Sequence, residues 1–313
     1  MTEIIIYIIA GFILLYIGSE GLVRGSSALA INLGVSPLLV GLTIVAFGTS
    51  SPELVVSIKT ALSGQGDISL GNVIGSNIAN ILVILGTAAM IKPVKINSRI
   101  IKIEIPIMIG VSILLFLFML NKYLGTLEGI FLFAGLIAFT IFSYVTSKEK
   151  KEVVTEKEFE NEYKAPKRKT FLNILMVIAG LAALIIGSNL FVDGAVKLAR
   201  IFGLTEAVIG LTIVAIGTSL PELATSIVAS LKGEGDIAIG NVVGSNIFNI
   251  LCILGIAAMI SPLVSGGINI LDFSVMIITA AVLLPLAFTG MKISRGEGAL
   301  LLLGYVVYVY ILL

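Results

Sequence analysis

The amino-acid sequence predicts an all-α integral membrane protein of about ten transmembrane helices, arranged as two inverted five-helix repeats. Three observations carry that prediction. The chain is 58% hydrophobic and only 12% charged over 313 residues, with a mean hydropathy of +1.12, so its apolar runs are too long for a water-soluble core. Residues 41–93 return without a gap as residues 210–262, at roughly 70 per cent identity, the internal period that a duplication leaves. Each copy also places one carboxylate in an apolar segment, at the end of GTSSPE (Glu53) and of GTSLPE (Glu222). An ionisable side chain is costly there, and two at matching positions mark a shared charged site.

Allowing about 20 residues per crossing, the helices of the first half fall near 4–33, 37–62, 68–91, 100–120 and 124–146. The first run begins with Glu3 rather than a basic cluster and no small-residue cleavage site follows, so it is expected to be retained rather than cleaved. The stretch 147–169 interleaves Lys with Glu and reads as a solvated, partly helical linker, too short for a regulatory domain. The second half supplies helices near 170–201, 206–231, 237–260, 268–290 and 296–313. The expected organisation is thus a first repeat at 1–146 with its duplicated core at about 37–93, the linker, and a second repeat at 170–313 with its core at about 206–262. An odd number of crossings per half makes the second enter the bilayer from the opposite side, the plan of secondary transporters, with a site where the repeats meet. With the N-terminus outside, about sixteen of the 20 Lys and Arg residues and the whole linker are cytoplasmic, the arrangement favoured for a multi-pass cell-membrane protein.

The residues around each glutamate suggest what the site holds. Helical spacing puts Thr49, Glu53 and Ser57 on one face, and likewise Thr218, Glu222 and Ser226. Gly48 with Pro52, and Gly217 with Pro221, interrupt the helices beside them, since proline cannot donate to the carbonyl four residues back. The next helix carries a polar stripe at spacing four, Asn72, Ser76 and Asn80, matched by Asn241, Ser245 and Asn249. Its glycines, Gly71 with Gly75 and Gly240 with Gly244, suit close approach to the broken helix. Carboxylates, amides, hydroxyls and main-chain carbonyls are hard ligands that suit Ca²⁺ or Na⁺.

Other features narrow the field. The chain has no histidine, which argues against a transition-metal centre and against a Ser-His hydrolase. Its net charge of +1 offers no basic face for nucleic acid. The single Cys252 is expected to be packing filler in an apolar helix. Asp67 and Asp236 each follow a glycine and precede an apolar run, as N-caps do. Asn72, Asn77, Asn241 and Asn246 are expected to be interhelical hydrogen-bond glue, and Glu20 and Asp193 structural or boundary charges. No cofactor and no protein partner are expected beyond the transported ions and the bilayer.

At these residues the chain resembles the cation/calcium exchanger superfamily, and within it the sodium/calcium exchangers, whose paired repeats carry G-T-S-x-P-E and G-N-x-x-G-S-N. Proton/calcium exchangers usually carry G-N-A-x-E at the first motif, so GTSSPE and GTSLPE point towards sodium. The resemblance implies no enzyme but an antiporter of Na⁺ against Ca²⁺ working by alternating access. It also implies a ligand set. Glu53 and Glu222 would be the central carboxylates and Thr49 and Thr218 would give backbone and hydroxyl oxygens. Ala46 and Ala215 would offer carbonyls from unwound segments, Ser50 and Ser219 further oxygens, and Ser76 and Ser245 outlying Na⁺ positions. Asn80 and Asn249 would complete the centre. Some relatives, notably those resembling potassium-dependent exchangers, carry aspartate at the position of Asn249, so exchange is expected to be independent of K⁺. The flanking hydroxyl and carbonyl positions, more than the two carboxylates alone suggest, imply that it is electrogenic. By the same analogy the first and sixth helices would slide as gates. A proton/calcium antiporter using the same glutamates, a cation channel and an intramembrane hydrolase are the rival readings.

Overall fold

In the computed structural model the structure describes residues 2–153, 170–202 and 215–312. In chain order the helices are α1 (Thr2–Leu33), α2 (Pro37–Thr49), α3 (Ser51–Leu62), α4 (Gly66–Ile91), α5 (Ile100–Asn121) and α6 (Thr126–Val153). There follow α7 (Thr170–Ile201), α8 (Ala215–Thr218), α9 (Leu220–Lys232), α10 (Gly235–Ile260), α11 (Ile270–Phe288) and α12 (Arg295–Leu312). Among the described residues, 7 helices are long and apolar enough to cross a membrane, or 8 if the bent pair α2 and α3 is one span. Helix α6 runs into the predicted linker as far as Val153, while residues 154–169, and 206–214 of the predicted seventh helix, lie outside the described residues.

The outward faces are apolar, as a bilayer requires of chain that has paired its own backbone groups. On α1 the exposed side chains include Ile5, Ile9, Phe12 and Tyr16, whereas the buried face interleaves leucines with glycine, serine and alanine. There Gly11 lies on Gly187 of α7 and Gly18 on Gly180. A methyl added at Gly11 would stand 2.8 Å from the Gly187 carbonyl oxygen, and one at Gly18 2.8 Å from that of Gly180. Glycine therefore lets two long antiparallel helices touch backbone to backbone, where dispersion rather than hydrophobicity supplies the attraction.

The two predicted broken helices are indeed interrupted beside their prolines. Helices α2 and α3 meet at 48° around Ser50, with φ −81° and ψ 7°, and α8 gives way to α9 at Ser219, with φ −91° and ψ 8°. Ser36 starts α2 by accepting the Leu39 amide at 3.2 Å, with Pro37 in the first turn, where a missing N–H costs nothing. One expectation is corrected here. The chain is not unwound at Ala46: Gly41–Val45 widens into a π-helical stretch and Ala46–Thr49 is α-helical, the Ala46 carbonyl accepting the Ser50 amide at 3.0 Å. Because Pro52 frees only the carbonyl of Gly48, four residues back, the break falls one turn later than expected.

Helices α4 and α10 are the most enclosed spans and lie against each other at the centre. Each contains a π-helical turn, Asn80–Leu85 and Asn249–Leu254, a distortion that frequently accompanies function. The glycines of the second stripe serve the other half of the chain, since a Cβ at Gly240 would meet the Leu38 carbonyl and one at Gly244 the Leu42 backbone, both on α2. At the periphery, Val94–Lys95 pairs with Lys292–Ile293 and Tyr123–Leu124 with Leu263–Val264, both antiparallel. Cys252 is buried in α10, as packing filler should be.

Asp67 is not the N-cap it was expected to be. It sits inside the first turn of α4, and its carboxylate accepts the amides of Gly266 at 2.9 Å and Gly267 at 3.0 Å, tying α4 to the segment before α11. A pair of glycine amides in one turn satisfies a carboxylate better than its own helix end does. Glu20 is a structural charge, pairing with Arg24 one turn on and with Lys232 at the end of α9.

Candidate cation-binding site

Glu53 lies in the first turn of α3 and Glu222 in the first turn of α9, and both are fully buried. A helix start favours a negative side chain, and the carbonyl ends of α2 and α8 finish beside these two carboxylates, as expected of a site for cations. Each glutamate is held by the opposite copy of the motif. Ser50 Oγ donates to Glu222 Oε1 at 2.9 Å, and Ser219 Oγ donates to Glu53 Oε1 at 3.1 Å. The second oxygen of each carboxylate, Oε2, is buried without a hydrogen-bond partner.

The asparagines show the same reciprocity. Asn80 Nδ2 donates to Asn246 Oδ1 at 2.9 Å, and Asn249 Nδ2 donates to Asn77 Oδ1 at 3.0 Å. Asn77 and Asn246 in turn donate to each other's backbone carbonyls, both at 3.2 Å. With their NH₂ groups held in this way, Asn80 and Asn249 are left with Oδ1 buried and unpartnered. Helix α3 packs against the turn that carries Asn249, and α9 against the turn that carries Asn80.

Main-chain geometry near the glutamates is held by a matched pair of contacts, each within its own repeat. Asn72 Nδ2 donates to Ser57 Oγ at 3.0 Å and to the Glu53 carbonyl at 3.3 Å, while Asn241 does the same to Ser226 at 3.1 Å and the Glu222 carbonyl at 3.4 Å. Thr49 Oγ1 lies 3.0 Å from Asn241 Oδ1 and 3.1 Å from the Val45 carbonyl, either of which takes its one proton, and the hydroxyl oxygen keeps its lone pairs. Ser76 and Ser245 are buried one turn before Asn80 and Asn249, and Ser245 Oγ has no partner. Ala215 and Thr218 lie in α8, the described turn that precedes the interruption at Ser219.

Four oxygens, Glu53 Oε2, Glu222 Oε2, Asn80 Oδ1 and Asn249 Oδ1, are thus buried, unpartnered and related through the repeat. A buried polar atom without a partner costs about 1–3 kcal/mol, more when charged. Two carboxylates and two amide oxygens are the hard donor set that a Ca²⁺ or Na⁺ ion satisfies. Sequence reasoning placed Asn72, Asn77, Asn241 and Asn246 as glue and missed that they aim the central groups. The available signal was the G-N-x-x-G-S-N-x-x-N spacing, which puts the paired amides on adjoining faces of one helix.

The chain has recognisable relatives. The family model described as sodium/calcium exchanger protein matches residues 3–145 and 172–313. The chain is 40% identical over 314 residues to a putative antiporter, CaxA, of Alkalimonas amylolytica, covering 98% of each protein. It is 34% identical over 357 residues to the sodium/calcium exchanger MaX1 of Methanosarcina acetivorans, covering 100% of this chain and 99% of that one. Among solved structures it is similar to the sodium-calcium exchanger NCX_Mj soaked without Na⁺ and Ca²⁺, with a TM-score of 0.86, 30% identity and coverage of 100% and 99%. Repeated motifs, fold and relatives converge, and the chain belongs to the sodium/calcium exchanger family.

Proposed function

We propose that this protein is a secondary antiporter that moves Ca²⁺ against Na⁺ by alternating access, electrogenically and without K⁺. The observation that carries the proposal is the set of four buried oxygens on Glu53, Glu222, Asn80 and Asn249. Their two formal negative charges balance one Ca²⁺. The carbonyls of Ala46 and Ala215, the oxygens of Thr49, Thr218, Ser50 and Ser219, and the hydroxyls of Ser76 and Ser245 flank the centre and provide positions for Na⁺. Both ions draw on the same two carboxylates, so each excludes the other from the centre, and competition produces exchange rather than cotransport.

In this reading the chain is an inverted pair of five-helix halves, 1–146 and 170–313. The bent pair α2 and α3 is a broken span of the first half, and the interruption at Ser219 between α8 and α9 supports its counterpart in the second. Reciprocal hydrogen bonds between residues 169 positions apart, as at Asn77 and Asn246, support the symmetry. The N-terminus lies outside and the linker 147–169 in the cytoplasm, in accord with the basic residues. Helices α1 and α7, joined through their glycine seam, form the sliding gate.

The test is Ca²⁺ uptake by proteoliposomes containing the full chain, with Na⁺, K⁺ and pH gradients imposed separately. The expected result is uptake driven by an outward Na⁺ gradient alone. Uptake driven by the pH gradient without Na⁺ would assign the same glutamates to proton exchange.

A further inference from the structure

The polar contacts that seat α1 and α7 on the broken helices are one-sided. Pro221 has no amide proton to give the Gly217 carbonyl, and Ser188 on α7 supplies one instead, Oγ to oxygen at 2.6 Å. Through the repeat Ser188 corresponds to Ser19 on α1, Gly217 to Gly48, and Pro221 to Pro52. Ser19 nevertheless donates to the Tyr16 carbonyl of its own helix at 2.9 Å. Both serines are buried. Helix α7 lies against both breaks, because a methyl at Gly217 would strike Val192 and one at Gly48 would strike Leu181. An ion pair repeats the asymmetry: Glu20 of α1 meets Lys232 of α9 at 3.0 Å, while the equivalent positions hold Asn189 and Ser63, which cannot pair as ions.

We propose that Ser188 is a positioning residue that latches α7 to the Gly217 carbonyl in one conformation of the transport cycle. In the opposite conformation Ser19 takes the Gly48 carbonyl and Ser188 turns back into its own helix. The two hydroxyls thus alternate as the α1 and α7 pair slides, and the inference rests on the antiport reading given above. A proline-freed carbonyl at membrane depth must find a donor. A serine without such a target is satisfied by a carbonyl of its own helix, so the exchange costs little and the sliding helix pair decides which serine engages. The Glu20 and Lys232 pair has no counterpart and weights the equilibrium towards the conformation seen here.

The experiment measures apparent Ca²⁺ affinity from each face of the membrane separately, by Na⁺-driven exchange in oriented proteoliposomes, for the full chain and its S188A, S19A and S188T variants. S188A is expected to change the ratio of the two affinities by about fivefold, the effect of one lost hydrogen bond on a two-state equilibrium. S19A should change it in the opposite direction, and S188T, which keeps the hydroxyl, should stay within about twofold of the parent. Should S188A fail to fold, the shift produced by S19A decides the matter alone. Unchanged ratios with exchange intact would overturn the latch and leave the antiporter standing. Absence of Na⁺-driven flux in the unmodified protein would overturn the antiport reading instead.

Discussion

Ser50 and Glu222 stand 172 positions apart in the chain, yet the Ser50 hydroxyl donates to Glu222 Oε1 at 2.9 Å in the buried centre. Its mirror, Ser219 on Glu53 at 3.1 Å, makes each motif the support of the other's carboxylate. The donated proton holds one oxygen and leaves the other buried without a partner. A hydrogen bond to a charged acceptor in this setting contributes about 1.5–3 kcal/mol.

Ser50→Ala and Ser219→Ala are therefore expected to weaken Ca²⁺ binding by similar amounts, about tenfold each, through freed carboxylate rotation. Isothermal calorimetry on the purified protein reads this directly. Wild-type affinity in both variants would show that the serines do not position the glutamates.

Glu53→Gln and Glu222→Gln should each abolish Ca²⁺ exchange while the protein still inserts and folds. One lost unit charge about 4 Å from a cation is worth about 4 kcal/mol at an effective dielectric of about 20, and twice that for a dication. Flux assays on size-exclusion-verified protein provide the check. Transport by either variant at the parent rate would sink the shared-site model.

Asn77→Ala and Asn246→Ala should lower both Ca²⁺ affinity and thermal stability, although neither side chain belongs to the proposed ligand set. Each removes the acceptor that holds the amide of Asn249 or Asn80, so that the ligand amide loses its orientation. A stability loss of about 1–3 kcal/mol is expected from the buried donor left behind. Denaturation midpoints in Ca²⁺ and in its absence separate the two effects, and a loss of stability with unchanged affinity would leave these asparagines as packing alone.

Exchange should respond to voltage and ignore K⁺. Two carboxylates balance one Ca²⁺, whereas the flanking hydroxyls and carbonyls extend the positions open to Na⁺. More than two Na⁺ per Ca²⁺ would move net charge, worth about 2.3 kcal/mol per elementary charge per 100 mV. Flux under clamped potential, with and without K⁺, tests both parts. Voltage-insensitive exchange excludes the stoichiometry, and a K⁺ requirement excludes the reading of Asn249.

Local chemistry made much of this protein legible before any coordinates. Long apolar runs dictate helices in lipid, Pro52 and Pro221 dictate interruptions, and the return of residues 41–93 as 210–262 dictates two copies of one polar frame. These are properties of a residue and its neighbours within a turn or two. Tertiary structure alone decided which copy serves which. The Asn249 amide faces Asn77, the Glu53 carboxylate faces Ser219, and Gly244 receives α2 of the other half. Helical spacing names the face a side chain occupies but not the helix opposite. It also could not distinguish a loose segment at Ala46 from a π-helical stretch, which depends on packing around Gly41–Val45. The difference between Ser188, bonded to Gly217, and Ser19, bonded within α1, has no trace in a sequence whose two halves match at both serines. Helical spacing is the same around both serines, and only the packing of the helices opposite them decides which hydroxyl meets a carbonyl of another helix.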